Sequence, residues 1–376
     1  MKVVIAMDSF KGSMTSMEAG NAAKAGILKV CDNVEVVVKP LADGGEGTTE
    51  ALIEGFSGER VSLRITGPMG RPVEAVYGIL PKNNIVIMEM AAAAGITLIK
   101  ENEKNPLKAT SFGVGEMIKD AMERGYREFM IGIGGSGTND GGIGMLRALG
   151  YRFLNERGEE IEEAGDLSQM VNVDDSGRIK ELKECHFQIA CDVTNPLWGE
   201  NGATYVFGPQ KGVTEKMKVT LDAGMKNYAG VSARYFGKDD SEVQGTGAAG
   251  GLGFAFLVYL NAELRPGIQW ILHIINLEKD IKDADLVITG EGSLDYQTTM
   301  GKLPIGVAKL AKVHQKKVLA FAGSITEAGK ECNNEGIDAF FPIVRGVTTL
   351  EEAMLPENAR KNMTDSVEQV FRLLCI

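Results

Sequence analysis

The chain reads as an α/β protein: a doubly wound parallel domain of five strands built from its two ends, with a mixed α/β domain inserted between them. Three observations predict this. Short uninterrupted apolar runs near both termini each stop at a loop bearing glycine or a charge, as strands covered on both faces do. Helical patterns separate those runs, the alternation of a parallel sheet. The middle of the chain instead mixes alternating and continuous apolar stretches. A length of 376 residues suits about two domains of ~150 residues each.

The elements follow in order. Residues 3–7 form an apolar run that stops at Asp8, and Thr15-x-x-Glu18 is a capping box that opens a helix to about residue 30. The β-branched run 34–38 is a second strand, followed by Pro40-Leu-Ala-Asp-Gly-Gly-Glu-Gly-Thr48 and a short helix over 51–56. Runs 61–65, 73–80 and 85–90 make a meander turning at Gly67-Pro68 and Asn83-Asn84. A helix over 111–124, a strand over 129–133 and a short helix over 143–149 come next. Polar loops at 156–163 and 174–177 follow, and an apolar helical region at 251–261 ends the middle. The last strands, 286–289, 318–322 and 339–344, end at Gly290, Gly323 and Arg345-Gly346.

Two strands at the start and three at the end give the expected order 2-1-3-4-5, with domain borders at 1–60 plus 285–376 and an insert at 61–284. In such a sheet the ligand lies beyond the carboxyl ends, where strand 1 meets strand 3. Those ends carry Asp8-Ser-Phe-Lys-Gly-Ser13 and Thr289-Gly-Glu-Gly-Ser-Leu-Asp295. Two consecutive domains split near residue 150 would leave the first half with only two good doubly wound strands.

Lys and Arg total 40 against 51 Asp and Glu, a formal charge of −11. That balance argues against a general nucleic-acid or anionic-membrane binder. No apolar run approaches the roughly 20 residues of a membrane span. The N-terminus turns polar too soon for a secretory signal, and five cysteines without a C-x-x-C pair fit a reducing cytoplasm. An acidic protein that handles an anion needs local cations, backbone amides or a divalent metal. The 47 glycines, about one residue in eight against a usual ~7%, point to the amides.

The richest loop is Ile131-Gly-Ile-Gly-Gly-Ser-Gly-Thr-Asn-Asp-Gly-Gly142, after a strand and before a helix, where bare amides can wrap a phosphate. Gly132, Gly134 and Gly137 also match G-x-G-x-x-G, with Glu156 at dinucleotide spacing. Asp140 and Asn139 in the loop count against that reading and for metal-assisted binding of a nucleotide phosphate, since a carboxylate repels a pyrophosphate unless a metal lies between. Gly245-Thr-Gly-Ala-Ala-Gly250 repeats the spacing, and close helix packing explains it as well as a ligand does. No G-x-x-x-x-G-K-[ST] is present, so a P-loop is excluded.

Carboxylates sit among glycines at strand ends: Asp43 with Glu46, Glu291 with Asp295, and Asp192 in Cys191-Asp-Val-Thr-Asn195. Lys11 past the first strand and Lys211 on a glycine turn supply cations. His186, His273 and His314 show no ligand spacing, and no G-x-S-x-G occurs. Acid–base work therefore falls on Asp and Glu. That suits phosphoryl transfer to a hydroxyl, where catalysis is mostly positioning and charge neutralisation around one carboxylate base.

Together DSFKGS at 8–13, LADGGEGT at 41–48, GIGGSGTNDGG at 132–142, CDVTNPL at 191–197, GPQKG at 208–212, GTGAAGGLG at 245–253 and TGEGSLD at 289–295 resemble the bacterial type I glycerate kinases. The resemblance implies ATP-dependent phosphorylation of D-glycerate to 2-phosphoglycerate, in glycerate, glyoxylate or sugar-acid catabolism. It also implies a flavodoxin-like domain made of the two ends and an insert with restriction-endonuclease-like character. The residue roles are not carried over from the family but inferred from the loops themselves: Mg2+ and ATP with glycerate are expected in a cleft between the domains. Ser9, Lys11 and the amides of Gly134, Gly135, Ser136, Gly137 and Thr138 would hold phosphates. Asp43, Glu46 and Glu291 are the expected metal ligands, with Asp192 the base and Asp295 a further catalytic carboxylate. Arg345 or Lys211 would pair with the substrate carboxylate. A homodimer is compatible with this reading. Transfer to the 3-hydroxyl, a nicotinamide-dependent hydroxyacid dehydrogenase and a non-catalytic acid-binding protein are the rivals.

Overall fold

A computed structural model describes residues 1–42, 47–299 and 302–375. Its strands, in chain order, are β1 (Lys2–Met7), β2 (Glu35–Pro40), β3 (Glu59–Thr66), β4 (Pro72–Leu80), β5 (Ile85–Glu89), β6 (Glu128–Gly132), β7 (Arg152–Leu154), β8 (Asn172–Asp174), β9 (His186–Ala190), β10 (Glu263–Arg265), β11 (Leu286–Leu294), β12 (Lys317–Ile325) and β13 (Ala339–Pro342). Contacts divide the chain into two units. The first holds the chain's two ends, including 50–57 and everything from Ile268 on; the second holds Gly58–Gly267.

In the first unit five strands form one parallel sheet in the order β13-β12-β11-β1-β2. That is the order 2-1-3-4-5 expected of these strands. Alternate residues Val3, Ile5 and Met7 of β1 join Ile288 and Phe321 in a core closed by the helices Ser16–Leu28 and Pro356–Leu374, through Ala19, Ala23, Ile27, Met363, Val367 and Phe371. Val4 and Ala6 are equally buried, and the helix Leu303–Val313, packed on β1, β11 and β12, covers that second face. Burial on both faces is why these strands read as unbroken apolar runs. The capping box forms: Thr15 Oγ1 accepts from the Glu18 amide (3.2 Å) and Glu18 Oε2 from the Thr15 amide (2.9 Å). Residues 268–284 pack here too, where Lys39 Nζ of β2 reaches the Ile275 carbonyl (3.1 Å) and Asp280 (2.7 Å).

The second unit has a six-stranded mixed sheet, β10-β9-β6-β5-β4-β3. β3, β4 and β5 are the antiparallel meander, and β5, β6, β9 and β10 run parallel. A separate hairpin of β7 and β8 brackets the polar loop at 156–163. Helices Phe112–Glu123, Glu215–Phe236 and Ala248–Tyr259 enclose the core, where Tyr151, Phe153, Tyr228, Phe254 and Tyr259 pack as an aromatic cluster. Among the described residues no helix is long and apolar enough to cross a membrane.

Candidate active site

The first unit opens a pocket of about 420 Å³ beyond the carboxyl ends of its strands. The loop after β1 and the end of β11 meet there, joined by a hydrogen bond from the Asp8 amide to the Gly290 carbonyl (2.8 Å). Asp8, Ser9, Phe10, Lys11 and Ser13 line one side and Glu291, Ser293 and Asp295 another. Lys302, at the N-cap of the helix Leu303–Val313, faces the same space. Ile343, Val344, Leu350 and Met354 supply an apolar wall. Two cations, three carboxylates and several hydroxyls against an apolar surface suit a ligand with an anionic end and a flat or apolar body.

Glu291 is only 7% exposed. Burial pushes its carboxyl up to about 7; a hydrogen bond from Thr298 Oγ1 (2.5 Å) and the Lys302 charge oppose that shift, and Asp8 and Asp295 add to it. Asp295 does local structural work. Its Oδ1 accepts from the amides of Gln297 (2.8 Å) and Thr298 (3.2 Å), closing the turn into Tyr296–Thr299.

The second unit's glycine loop follows β6, as expected, but much of its polar capacity is spent internally. Asp140 is 1% exposed. Its Oδ2 accepts from the Ser111 amide and hydroxyl (2.8 Å each) and the Gly144 amide (3.3 Å), and its Oδ1 from the Gly142 amide (3.1 Å). The protein's own carboxylate thus fills the helix N-terminus where an anion was expected. The Gly137 amide donates to the Ala94 carbonyl (2.8 Å). Gly134 and Gly135 are exposed, while Ser136, Gly137 and Thr138 are buried.

Lys211 lies beneath that loop, 2% exposed, its ammonium donating to Ser136 Oγ (2.6 Å) and the Thr138 carbonyl (2.7 Å). Burial drives it down to about 7, against the pull of Asp140. The second glycine segment packs on the first. Gly250, at φ +68°, sits where a Cβ would collide with the Thr138 carbonyl oxygen, so backbone contact accounts for its glycine. Glu156 stands exposed in the β7–β8 loop. Gly137 and Gly250 therefore serve backbone packing, and the dinucleotide reading loses its support.

The sheet switch thus brings together Ser9, Lys11, Glu291 and Asp295. Asp192 follows β9 in the second unit, exposed, with Oδ1 accepting from the Gly267 amide (3.1 Å). Arg345 does not line that pocket; it pairs with Asp365 (2.6 Å) and lines a separate, smaller pocket of the first unit. Asp43 and Glu46 lie outside the described residues. Sequence reasoning missed Lys302, Ser293 and Ser324. For Lys302 a signal existed, a cation before Leu303-Pro304, where proline at the first helical turn marks an N-terminus.

A family model described as the glycerate kinase family matches residues 3–375. The chain belongs to that family, and it is an enzyme. It is 43% identical to a glycerate kinase of Bacillus subtilis over 98% of this chain and 97% of that one. A protein named glycerate 2-kinase from Escherichia coli is 45% identical over 94% of this chain and 93% of its own length. The chain also resembles the crystal structure of a protein provisionally named glycerate kinase 2 from Salmonella typhimurium LT2, with 43% identity, a TM-score of 0.91 and coverage of 100% of this chain and 98% of that one. Family membership thus rests on the whole chain rather than on one motif.

Proposed function

We propose that this glycerate kinase homologue transfers the terminal phosphoryl group of ATP to the 2-hydroxyl of D-glycerate, giving 2-phosphoglycerate and ADP in the catabolism of glycerate, glyoxylate or sugar acids. The observation that carries the proposal is the meeting of the Asp8–Ser13 loop and the Glu291–Asp295 stretch at the end of β11 at one pocket, where Lys11 and Lys302 stand among three carboxylates. The Escherichia coli relative's name, glycerate 2-kinase, favours the 2-position. The pocket is much larger than a three-carbon acid, and its apolar wall suits the nucleoside end of ATP. The same reading sets the enzyme in the cytoplasm, where its five free cysteines rest as thiols.

Among the described residues no three carboxylate, histidine or cysteine side chains converge on a metal position, so Mg2+ would be held here by one or two carboxylates together with the phosphates. Asp8, Glu291 and Asp295 offer hard carboxylate oxygens beside serine hydroxyls, and Mg2+ usually takes one or two carboxylates and completes its shell with phosphate and water. When bound, the ion neutralises charge on the transferring phosphates. Lys11 contributes a point charge to the phosphoryl group, Ser9 a hydroxyl donor, and Lys302 replaces the paired Arg345 and buried Lys211 as partner of the substrate carboxylate. The exposed amides of Gly134 and Gly135 remain available to phosphate oxygens. Asp192 takes the proton from the attacking hydroxyl.

Incubation with ATP, Mg2+ and D-glycerate is expected to release ADP, and NMR of the product is expected to show phosphate on carbon 2. ADP release with NAD-independent product formation excludes the dehydrogenase, and phosphate on carbon 3 overturns the regiochemistry alone. Lys11→Met is expected to lower kcat/KM about 10²-fold, the usual loss when one preorganised donor to developing charge is removed. Steady-state kinetics on a variant with unchanged circular dichroism checks it, and an unchanged kcat/KM takes Lys11 out of the site.

A further inference from the structure

The helices Ser16–Leu28 and Pro356–Leu374 run side by side in the first unit. Glu18 pairs with Arg360 (2.7 Å), the Ala22 carbonyl accepts from Thr364 Oγ1 (3.0 Å), and Lys29 reaches Asp365 (3.4 Å) and Glu368 (3.0 Å). Partners advance together along both helices, so the two are parallel and end at the same level. Gly26 permits the close approach, since a Cβ there would collide with the Thr364 carbonyl. Just past both ends stand Cys31 and Cys375, their sulfurs 2.8 Å apart. Cys375 is exposed and Cys31 partly so, which lets a small reagent in. Cys185 and Cys332 are buried, and Cys191 donates to the Val193 carbonyl (3.4 Å).

We infer that Cys31 and Cys375 form an oxidation site, a dithiol that a small organic disulfide of the glutathione type converts to a disulfide joining the two helix ends. Cys375, on losing its proton, attacks one sulfur of the small disulfide. The S–S bond breaks and the departing thiolate takes up that proton. Cys31, deprotonated in turn, attacks the Cys375 sulfur of the mixed disulfide, and the second small thiolate leaves and is protonated. The protein thiols lose two electrons and two protons, and the small disulfide becomes two thiols. Both thiols sit at helix C-termini, where negative charge is disfavoured, and the hydrogen bond shared with Cys375 is the main reason Cys31 is held up at about 11. The pair therefore rests as thiols until an oxidant arrives. The cross-link ties the chain's two ends and removes freedom from the unfolded chain.

The test treats the reduced full-length protein with oxidised glutathione, quenches with an alkylating agent, and measures intact mass, linked peptides and the urea unfolding midpoint. The expected result is a mass lower by two hydrogens, a Cys31–Cys375 peptide, and a raised midpoint that dithiothreitol reverses. Cys31→Ser is expected to trap glutathione on Cys375, and Cys375→Ser to show no rise in midpoint. A glutathione adduct that persists on wild-type Cys375, an unmodified protein, or an equal midpoint shift in Cys375→Ser overturns the inference.

Discussion

Asp192→Asn is expected to lower kcat by about 10²–10⁴-fold, the usual contribution of a positioned general base, with a much smaller change in KM. The carboxylates around the candidate loops sit in different surroundings. Asp140 has both oxygens committed to Ser111, Gly142 and Gly144. Asp295 uses Oδ1 to close a turn. Glu291, held up at about 7 and bonded by Thr298, is largely protonated just below neutrality. Asp192 is exposed at the end of β9, beside hydroxyl and amide side chains of its own loop, Thr194 and Asn195. Asparagine keeps its size and the acceptor for the Gly267 amide while removing the basic oxygen. Kinetics from pH 6 to 9 on a variant of unchanged thermal midpoint give the result. Near-normal turnover removes Asp192 as base.

The sheet of the first unit was legible because burial on both faces leaves no ambiguity of period. Each strand there holds a continuous apolar run, but β11 and β12 continue past the expected ends at Gly290 and Gly323 to Leu294 and Ile325. Pairing of Glu291, Ser293 and Leu294 with Ala322, Ser324 and Ile325 extends both strands. The pocket at β1 and β11 followed from strand order alone. The long helix Glu215–Phe236 was missed although Thr214 caps its start and Gly237, at φ +76°, its end, because its exposed face is polar and its buried face narrow. β7, β8 and β10, each of three residues, carry too few positions to show a period.

The glycine loops show a different limit. Spacing alone cannot separate an amide that waits for a phosphate from one that accommodates a neighbouring backbone. Gly250 and Gly137 are decided by what lies across from them, the Thr138 carbonyl and the 94–96 segment, which are distant in sequence from one or both. Lys211 is the same case in charge. A lysine on a glycine turn reads as a surface cation, and only the packed loop above it shows that its donors are already taken.

That burial has a measurable consequence for stability. The Lys211 ammonium has an ordinary value of 10.5 and is driven to about 7 in the folded protein, so between those pH values the unfolded chain binds the extra proton. Stability therefore rises with pH across that window, by ~1.4 kcal/mol per pH unit from this group alone. Below pH 7 both states are protonated and the cost of burying the charge is at its maximum. Buried tyrosines such as Tyr228, raised by desolvation, act in the opposite direction at the alkaline end, so the comparison must be between variants. Lys211→Met removes the titrating group and keeps most of the volume. Its loss of donors to Ser136 and Thr138 costs about 1–3 kcal/mol for each acceptor left without a partner, and relief of the buried amine offsets part of that loss. The absolute change in stability is thus a poor readout and the slope a good one. Urea unfolding from pH 7 to 10 is expected to show the wild type gaining on Lys211→Met by ~1.4 kcal/mol per unit. Parallel slopes would mean that Asp140 holds the ammonium charged throughout, and the loop would then rest on a buried ion pair.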